Sequence, residues 1–373
     1  MYLLKPTLDC NLRCHYCYEN EHRSRTDDYG KYDISAVLQE IMSLEDKSQI
    51  VLHGGEPLTL GKENVDAILK TVFEKTGCSS IQTNGVLIDD EYVQMFEKYK
   101  TSVGVSLDGT GDLNRYRCGE SMTAKIYSDI VRMKDRGLNV SVIAVLSKAN
   151  AGSDSELELF ENYLKNLSEK KISGRVNPCT GDPNCSLNDE RLSIVYSRLA
   201  WYCYSNGLQW SPFTDIWNVM RGDGRVVCTF RECDIFHTRS AEVILGDALH
   251  TNCMRVSVKD LYMRHPSEYK TRSEILSQVP QEFGGCQDCE YWEYCKGGCP
   301  SQAIDGDWRN RTESCKMYKA VFSIARNIQS FGVAKKTPCT SKSNKQSHSG
   351  GHSDGIEHID GNMRHMDSNI GGE

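Results

Sequence analysis

No run of about 18 apolar residues occurs anywhere in the 373-residue chain, so no membrane-spanning helix is expected. The opening Met1-Tyr2-Leu3-Leu4-Lys5-Pro6 is too short and wrongly flanked to act as an export signal, and a cytoplasmic location is the expectation. Lys and Arg form no long stripe, and 44 of them face 51 Asp and Glu for a net charge of -7. Phosphate binding needs clustered cations, so neither a nucleic acid nor a membrane surface is expected as the main partner. A disulfide framework is missing its conditions too, because 17 is an odd number of cysteines and no export signal accompanies them. Reduced thiolates that bind metal are the better account.

Residues 2 to about 177 alternate short apolar runs with helix-period runs. Strands are expected at Tyr2 to Leu8, Gln49 to His53, Ser79 to Thr83, Ser102 to Leu107, Asn139 to Leu146 and Ile172 to Asn177. Helices are expected after Asp33, up to Gly77, after Asp89, from Thr123 or Lys125 to Gly137, after Asp154, and over 188 to 210. This is an α/β pattern of parallel βα units, expected to close into a partial (β/α)6 barrel, with an open doubly wound sheet as the alternative. The division is 1–215 for the barrel, 216–333 for a cysteine-rich part, and 334–373 for a disordered His/Ser/Gly-rich tail. The cysteine-rich part has too few apolar runs for a large core, so metal would supply part of its folding energy.

Directly after the first strand comes Cys10-x3-Cys14-x2-Cys17. Three such thiolates suit three irons of a 4Fe-4S cluster and leave the fourth iron open. A Cys3His zinc site using His15 or His22 is the alternative. With Tyr16 before the last Cys, and with His53-Gly54-Gly55-Glu56-Pro57 at the end of the second strand, the sequence resembles the radical SAM family. That resemblance implies that the open iron chelates S-adenosylmethionine, whose one-electron cleavage gives a 5'-deoxyadenosyl radical. It also implies cofactor-binding roles for His53, Gly54, Gly55, Glu56, Asn84, Ser106, Asp108 and Arg117. Glu56 is expected to face the cofactor's ammonium group, and Arg117, rather than Arg115, its carboxylate.

A second pattern, Cys286-x2-Cys289-x5-Cys295-x3-Cys299 followed by Cys315, is similar to the SPASM domain of radical SAM peptide-modifying enzymes. The resemblance implies two auxiliary 4Fe-4S clusters, three in all. One would use Cys228, Cys233, Cys253 and Cys299, and the other Cys286, Cys289, Cys295 and Cys315. Ala248 stands where the family's earlier element has Gly. Cys78, Cys118, Cys179, Cys185, Cys203 and Cys339 remain, most of them expected as buried apolar groups, with Cys118, Cys179 and Cys185 as candidates for the barrel mouth.

The resemblance implies oxidative modification of a precursor peptide or protein, with an external electron donor such as flavodoxin or ferredoxin. Thioether cross-linking within a ribosomal peptide is the expectation, or a carbon-carbon cross-link. Formylglycine formation by an anaerobic sulfatase-maturing enzyme is the rival, and a non-catalytic iron-sulfur or zinc scaffold is the alternative of another class. The sulfatase enzymes carry an Asp after the position of Cys253 and a Gln before Gly-Gly-Glu-Pro. Here Met254 and His53 stand there, leaving Asp247 or Asp260 as substitute bases.

Overall fold

The computed structural model describes residues 1–20, 32–45, 48–180, 182–222, 228–230, 233–235, 241–251, 253, 255 and 270–334, with 228 and 329–334 described by backbone alone. The expected strands form as β1 Tyr2–Lys5, β2 Ile50–Leu52, β3 Ser79–Thr83, β4 Thr101–Ser106, β5 Val140–Leu146 and β6 Ser173–Pro178. Each pairs in parallel with its successor, so the order follows the chain without reversal. A doubly wound sheet would reverse at a switch point. The consecutive order is that of a partial (β/α)6 barrel.

Alternation sets the two faces. In β5, Val140, Val142, Ala144 and Leu146 are buried, while Ser141, Ile143 and Val145 are half-exposed and line a cavity on the concave side. The buried rows pack under helices α1 Ile34–Ser43, α2 Lys62–Thr76, α3 Asp90–Lys98, α4 Glu120–Asp135, α5 Asp154–Glu169 and α6 Asp189–Asn206. The helix ends follow local chemistry. Asp33 caps α1 through the N–H groups of Ser35 and Ala36, Gly77 closes α2 in the left-handed region, and Ser153 with Glu156 makes a capping box on α5. On α2 the buried residues are Val65, Ile68, Leu69 and Val72, each contributing about 1.5–3 kcal/mol of burial.

Three further strands were not expected from the pattern. β7 Trp210–Ser211 extends the β6 edge, β8 Glu242–Leu245 pairs in parallel with β1, and β9 His250–Thr251 runs antiparallel to β8. α7 Phe213–Met220, α8 Arg272–Gln278 and α9 Cys315–Ala334 complete the longer helices. Met1–Phe331 holds together as one compact unit. The tail expected to be disordered lies, beyond residue 334, outside the described residues. No described helix is long and apolar enough to cross a membrane.

Candidate active site

The cysteine loop leaves β1 at the C-terminal end of the barrel, the end where strand-following loops converge. Its neighbour is the loop after β2. Gly55 N–H donates to the Thr7 carbonyl at 3.0 Å, and Glu56 N–H to the Asp9 carbonyl at 2.7 Å. A Cβ on Gly54 would collide with the Thr7 carbonyl oxygen, and one on Gly55 with those of Leu8 and Asp9. Gly54 also has a φ of +146°, where side chains are rarely accommodated. The two glycines are thus required by the approach of the loop that carries the cysteines. They still border the cavity, as do His53, Cys14, Tyr16, Cys17, Ser106 and Arg117.

Three of the expected cofactor residues stand behind that wall. Glu56 is wholly buried, and its carboxylate is surrounded by donors of the neighbouring loops. It accepts from Leu58 N–H at 3.1 Å, the Thr83 hydroxyl at 2.7 Å and Asn84 N–H at 2.6 Å. Burial raises its pKa and these donors oppose the rise. Asn84 donates to Asn11 Oδ1 at 2.8 Å and lies 3.7 Å from Cys10 Sγ, tying the β3 loop to the cysteine loop. Asp108, 2% exposed, accepts from Val145 N–H at 2.9 Å, from the Tyr16 hydroxyl and from Arg117.

Arg117 and Arg115 part company. Arg115 turns outward to Asp112 and Glu156 and to the Ala149 carbonyl. Arg117 turns inward, with Nη2 3.4 Å from Asp108 and Nη1 3.8 Å from Cys14 Sγ. Burial works against its charge, yet Asp108, Tyr16 and Cys14 hold the guanidinium protonated more firmly than usual. Its Nε is buried and has no hydrogen-bond partner among the described residues. An inward cation with one unspent donor suits an anionic ligand group. Burial, opposed by Arg117, pushes the Cys14 thiol up to about 11, so a metal that takes this ligand must displace its proton. Burial and the nearby Lys5 lower His53 to about 4, leaving a neutral imidazole whose Nδ1 accepts from Gly54 N–H at 2.7 Å. Beneath the loop, Lys5 is buried in an ion pair with Glu19 and donates to the Tyr18 hydroxyl at 3.1 Å.

The same cavity, about 640 Å³, is bordered on another side by Cys233, Cys253 and Cys299. The side chain of Cys228 lies outside the described residues, as do Met254, Asp260 and His22. Cys286, Cys289, Cys295 and Cys315 line a second, smaller space together with Arg311 and Phe322. Burial and the neighbouring thiols push Cys286 up to about 11 and Cys295 up to about 12. Among the described residues no group of three His, Cys, Asp or Glu converges closely enough to hold one metal ion.

Of the remaining cysteines, Cys203 and Cys185 are buried and Cys179 borders the large cavity. Cys118 instead accepts from Asn114 Nδ2 at 3.2 Å, and Cys78 is exposed. Cys339 lies outside the described residues. The cavity residue missed in the sequence is Arg175, an exposed cation on β6. Its position in a short strand was the available signal.

Comparison with known proteins agrees with this arrangement. Residues 4–154 match the Radical SAM superfamily model. An uncharacterised protein of Methanothermobacter thermautotrophicus is 27% identical over 175 residues, 46% of this chain and 65% of that protein's length. A cysteine-type anaerobic sulfatase-maturating enzyme of Clostridium novyi is 24% identical over 379 residues, 90% of this chain and 97% of the enzyme. Two solved structures share the fold. Native anSMEcpe with bound AdoMet and Cp18Cys peptide is 20% identical with a TM-score of 0.69, over 90% of this chain and 98% of its own. SuiB of Streptococcus suis bound to precursor peptide SuiA is 15% identical with a TM-score of 0.55, over 84% of this chain and 75% of its own. The chain is an enzyme that carries a Radical SAM domain.

Proposed function

We propose that this radical SAM enzyme oxidises a side chain of a ribosomally made peptide and forms an intramolecular thioether in the cavity between the two cysteine groups. The observation that carries the reading is that one cavity of about 640 Å³ is bordered both by Cys14, Cys17 and Arg117 and by Cys233, Cys253 and Cys299. A peptide inside it reaches both groups at once, which is the positioning a bond between two of its own residues needs.

The residues fit the implied cofactors. Cys10, Cys14 and Cys17 hold three irons of one 4Fe-4S cluster, and their sulfurs already meet donors from Leu12 N–H at 3.4 Å, Asn84 and Arg117. When bound, that cluster and S-adenosylmethionine would supply removal of one hydrogen atom from the substrate; closing the carbon–sulfur bond then releases the thiol proton and one electron, which an auxiliary cluster would accept. Arg117 borders the cavity and offers its guanidinium to the cofactor carboxylate, Gly54, Gly55 and neutral His53 form the adjoining wall, and Ser106 borders it. Glu56, Asn84 and Asp108 keep these groups in place. Cys228, Cys233, Cys253 and Cys299 hold one auxiliary cluster, and Cys286, Cys289, Cys295 and Cys315 the other. Electrons come from an external donor such as flavodoxin or ferredoxin. Arg175 on the cavity wall is available to a carboxylate of the peptide.

Formation of formylglycine on a sulfatase Cys or Ser is the second reading, supported by the likeness to a sulfatase-maturating enzyme along 97% of that enzyme's length. The experiment is incubation of the anaerobically reconstituted protein with a Cys-rich precursor peptide and, separately, with a Cys-x-Pro-x-Arg sulfatase peptide. The thioether reading expects products lighter by two hydrogens per cross-link and unreactive to thiol alkylation. An aldehyde on the sulfatase peptide, with no cross-link on any Cys-rich peptide, replaces it by the second reading.

A further inference from the structure

We propose that Arg272 is the fixed positive charge shared by the two C-terminal cysteine groups, holding the segment that joins them and favouring the electron-rich state of the clusters they carry. The inference rests on the reading that these groups hold iron-sulfur clusters. Arg272 is 2% exposed and opens α8 directly after its capping Thr271. Each guanidinium N–H goes to a backbone carbonyl. Nε donates to Trp308 at 2.7 Å, Nη1 to Gly298 at 2.9 Å and Lys296 at 3.4 Å, and Nη2 to Gly297 at 3.1 Å and Asn310 at 2.8 Å. Asp234 takes the backbone N–H of Arg272, at 2.6 Å, and not the guanidinium.

Carbonyls satisfy the donors without cancelling the charge. A guanidinium cannot shed its proton in a protein, so its field persists in a medium of low dielectric. Leaving such a charge buried is costly unless negative charge lies near. Burial pulls the pKa of Arg272 below its usual value, and the groups that oppose that pull are Cys299 and Cys233 of one set and Cys286 and Cys295 of the other, which are negative once deprotonated as cluster ligands.

The gripped carbonyls explain why one cation serves both sets. Lys296, Gly297 and Gly298 are the whole segment between Cys295, assigned to one cluster, and Cys299, assigned to the other. Gly297 and Gly298 have φ of +79° and +71°, which turns their carbonyls toward the guanidinium, and a Cβ on Gly297 would collide with Leu276 Cδ1. On reduction a cluster gains one electron and one negative charge, with no bond made or broken. A buried cation stabilises that state, and net charge is one of the factors that set cluster potentials.

The test uses the anaerobically reconstituted full chain and three readouts: iron per chain, midpoint potentials from a dithionite titration followed by electron paramagnetic resonance, and S-adenosylmethionine cleavage. Dithionite is oxidised and each cluster takes one electron. Arg272→Gln is expected to lower the midpoints of both auxiliary clusters and to leave that of the cluster on Cys10, Cys14 and Cys17 in place. Arg272→Lys, which keeps the charge, is expected to keep both auxiliary midpoints near those of the unmodified protein. Auxiliary clusters present in Arg272→Gln at unmoved potentials would overturn the proposal. If Arg272→Gln sheds its auxiliary iron, Arg272→Lys decides: retained iron at unmoved potentials supports the charge, and loss of iron there as well assigns Arg272 to the carbonyl grip alone and overturns it. An unmodified protein with iron for only the first cluster would sink the underlying reading instead, and the inference with it.

Discussion

The two ends of the chain hold their cysteines by different means. Cys10, Cys14 and Cys17 sit on strand ends of a packed barrel, and their loop is fixed by backbone contacts to Gly55 and Glu56 and by Asn84 and Arg117. Cys286, Cys289 and Cys295 sit on loops and a single helical turn, Trp292–Cys295, held by Arg272 and by Arg311, which donates to the Gly285 carbonyl at 3.1 Å. The first site stands on strand ends over the barrel core, whereas the second is a set of loops laid on one edge of that core, on Tyr291, Tyr318 and Phe322. With so much of its backbone in loops, the second is the one expected to gain folding energy from bound metal.

The sharpest way to break that contrast is to remove thiols from each region. Changing Cys10, Cys14 and Cys17 to Ala should abolish S-adenosylmethionine cleavage and remove about four irons per chain, with the thermal midpoint unmoved. Changing Cys286 and Cys295 to Ser should lower that midpoint. Equal midpoints in the two variants would show that both sites draw on metal alike. The assay is iron content and cleavage beside thermal unfolding of the same anaerobic samples.

Glu56→Ala should act on stability, because it strips acceptors from the N–H groups of Leu58 and Asn84, at about 1–3 kcal/mol for each buried donor. Denaturant unfolding of the metal-free protein measures it. Undiminished stability with weakened cofactor binding would instead return Glu56 to the cofactor. Arg117→Met should weaken S-adenosylmethionine binding by about 1.5–3 kcal/mol, the range for a hydrogen bond to a charged group, with iron content kept. Equilibrium binding to the reconstituted protein checks it, and unchanged affinity would make Arg117 a support for Asp108 only.

The smallest effect belongs to His250, which bridges β9, β8 and α1 through Glu242 at 2.5 Å and Glu40 at 2.9 Å. The Glu242 bond leads the causes that raise its pKa above 6.5. A raised folded-state value means the contribution is full below the ordinary value and fades as pH rises through the raised one. Unfolding free energy measured across that window should therefore fall, and His250→Gln should flatten the fall. A slope that survives the substitution would assign it to other groups.

The barrel strands were legible because each is a short apolar run flanked by turn residues and helix-period segments. β7 and β9 span two residues each and carry no period. β8 reads only as Glu-Val-Ile-Leu, all buried, and such a run does not say which strand it joins. Among site residues, motif letters brought out the cysteines, the glycines and Arg117, but not which side chains face inward. Glu56 and Asn84 carry the right chemistry and spend it on neighbouring loops. Arg115 and Arg117 share the turn that follows the 3-10 helix Gly111–Asn114 yet send their side chains to opposite sides, which a residue count does not register. Arg272 was missed because an Arg in the first turn of a short helix is ordinarily at the surface.

The strand that precedes the first cysteine loop lies between β2 and β8, so one of its partners is synthesised some 240 residues after it. The Asp33 N–H also reaches the Gly246 carbonyl at 2.8 Å, and the Glu242 N–H reaches Met1 at 3.1 Å. During translation, then, β1 waits with one edge bare while the thiols of Cys10, Cys14 and Cys17 beside it emerge early. Pairings so distant in sequence close late. The loop that carries Cys10, Cys14 and Cys17 is thus made long before the strand that completes the sheet beside it, so the topology sets the order in which that site is assembled.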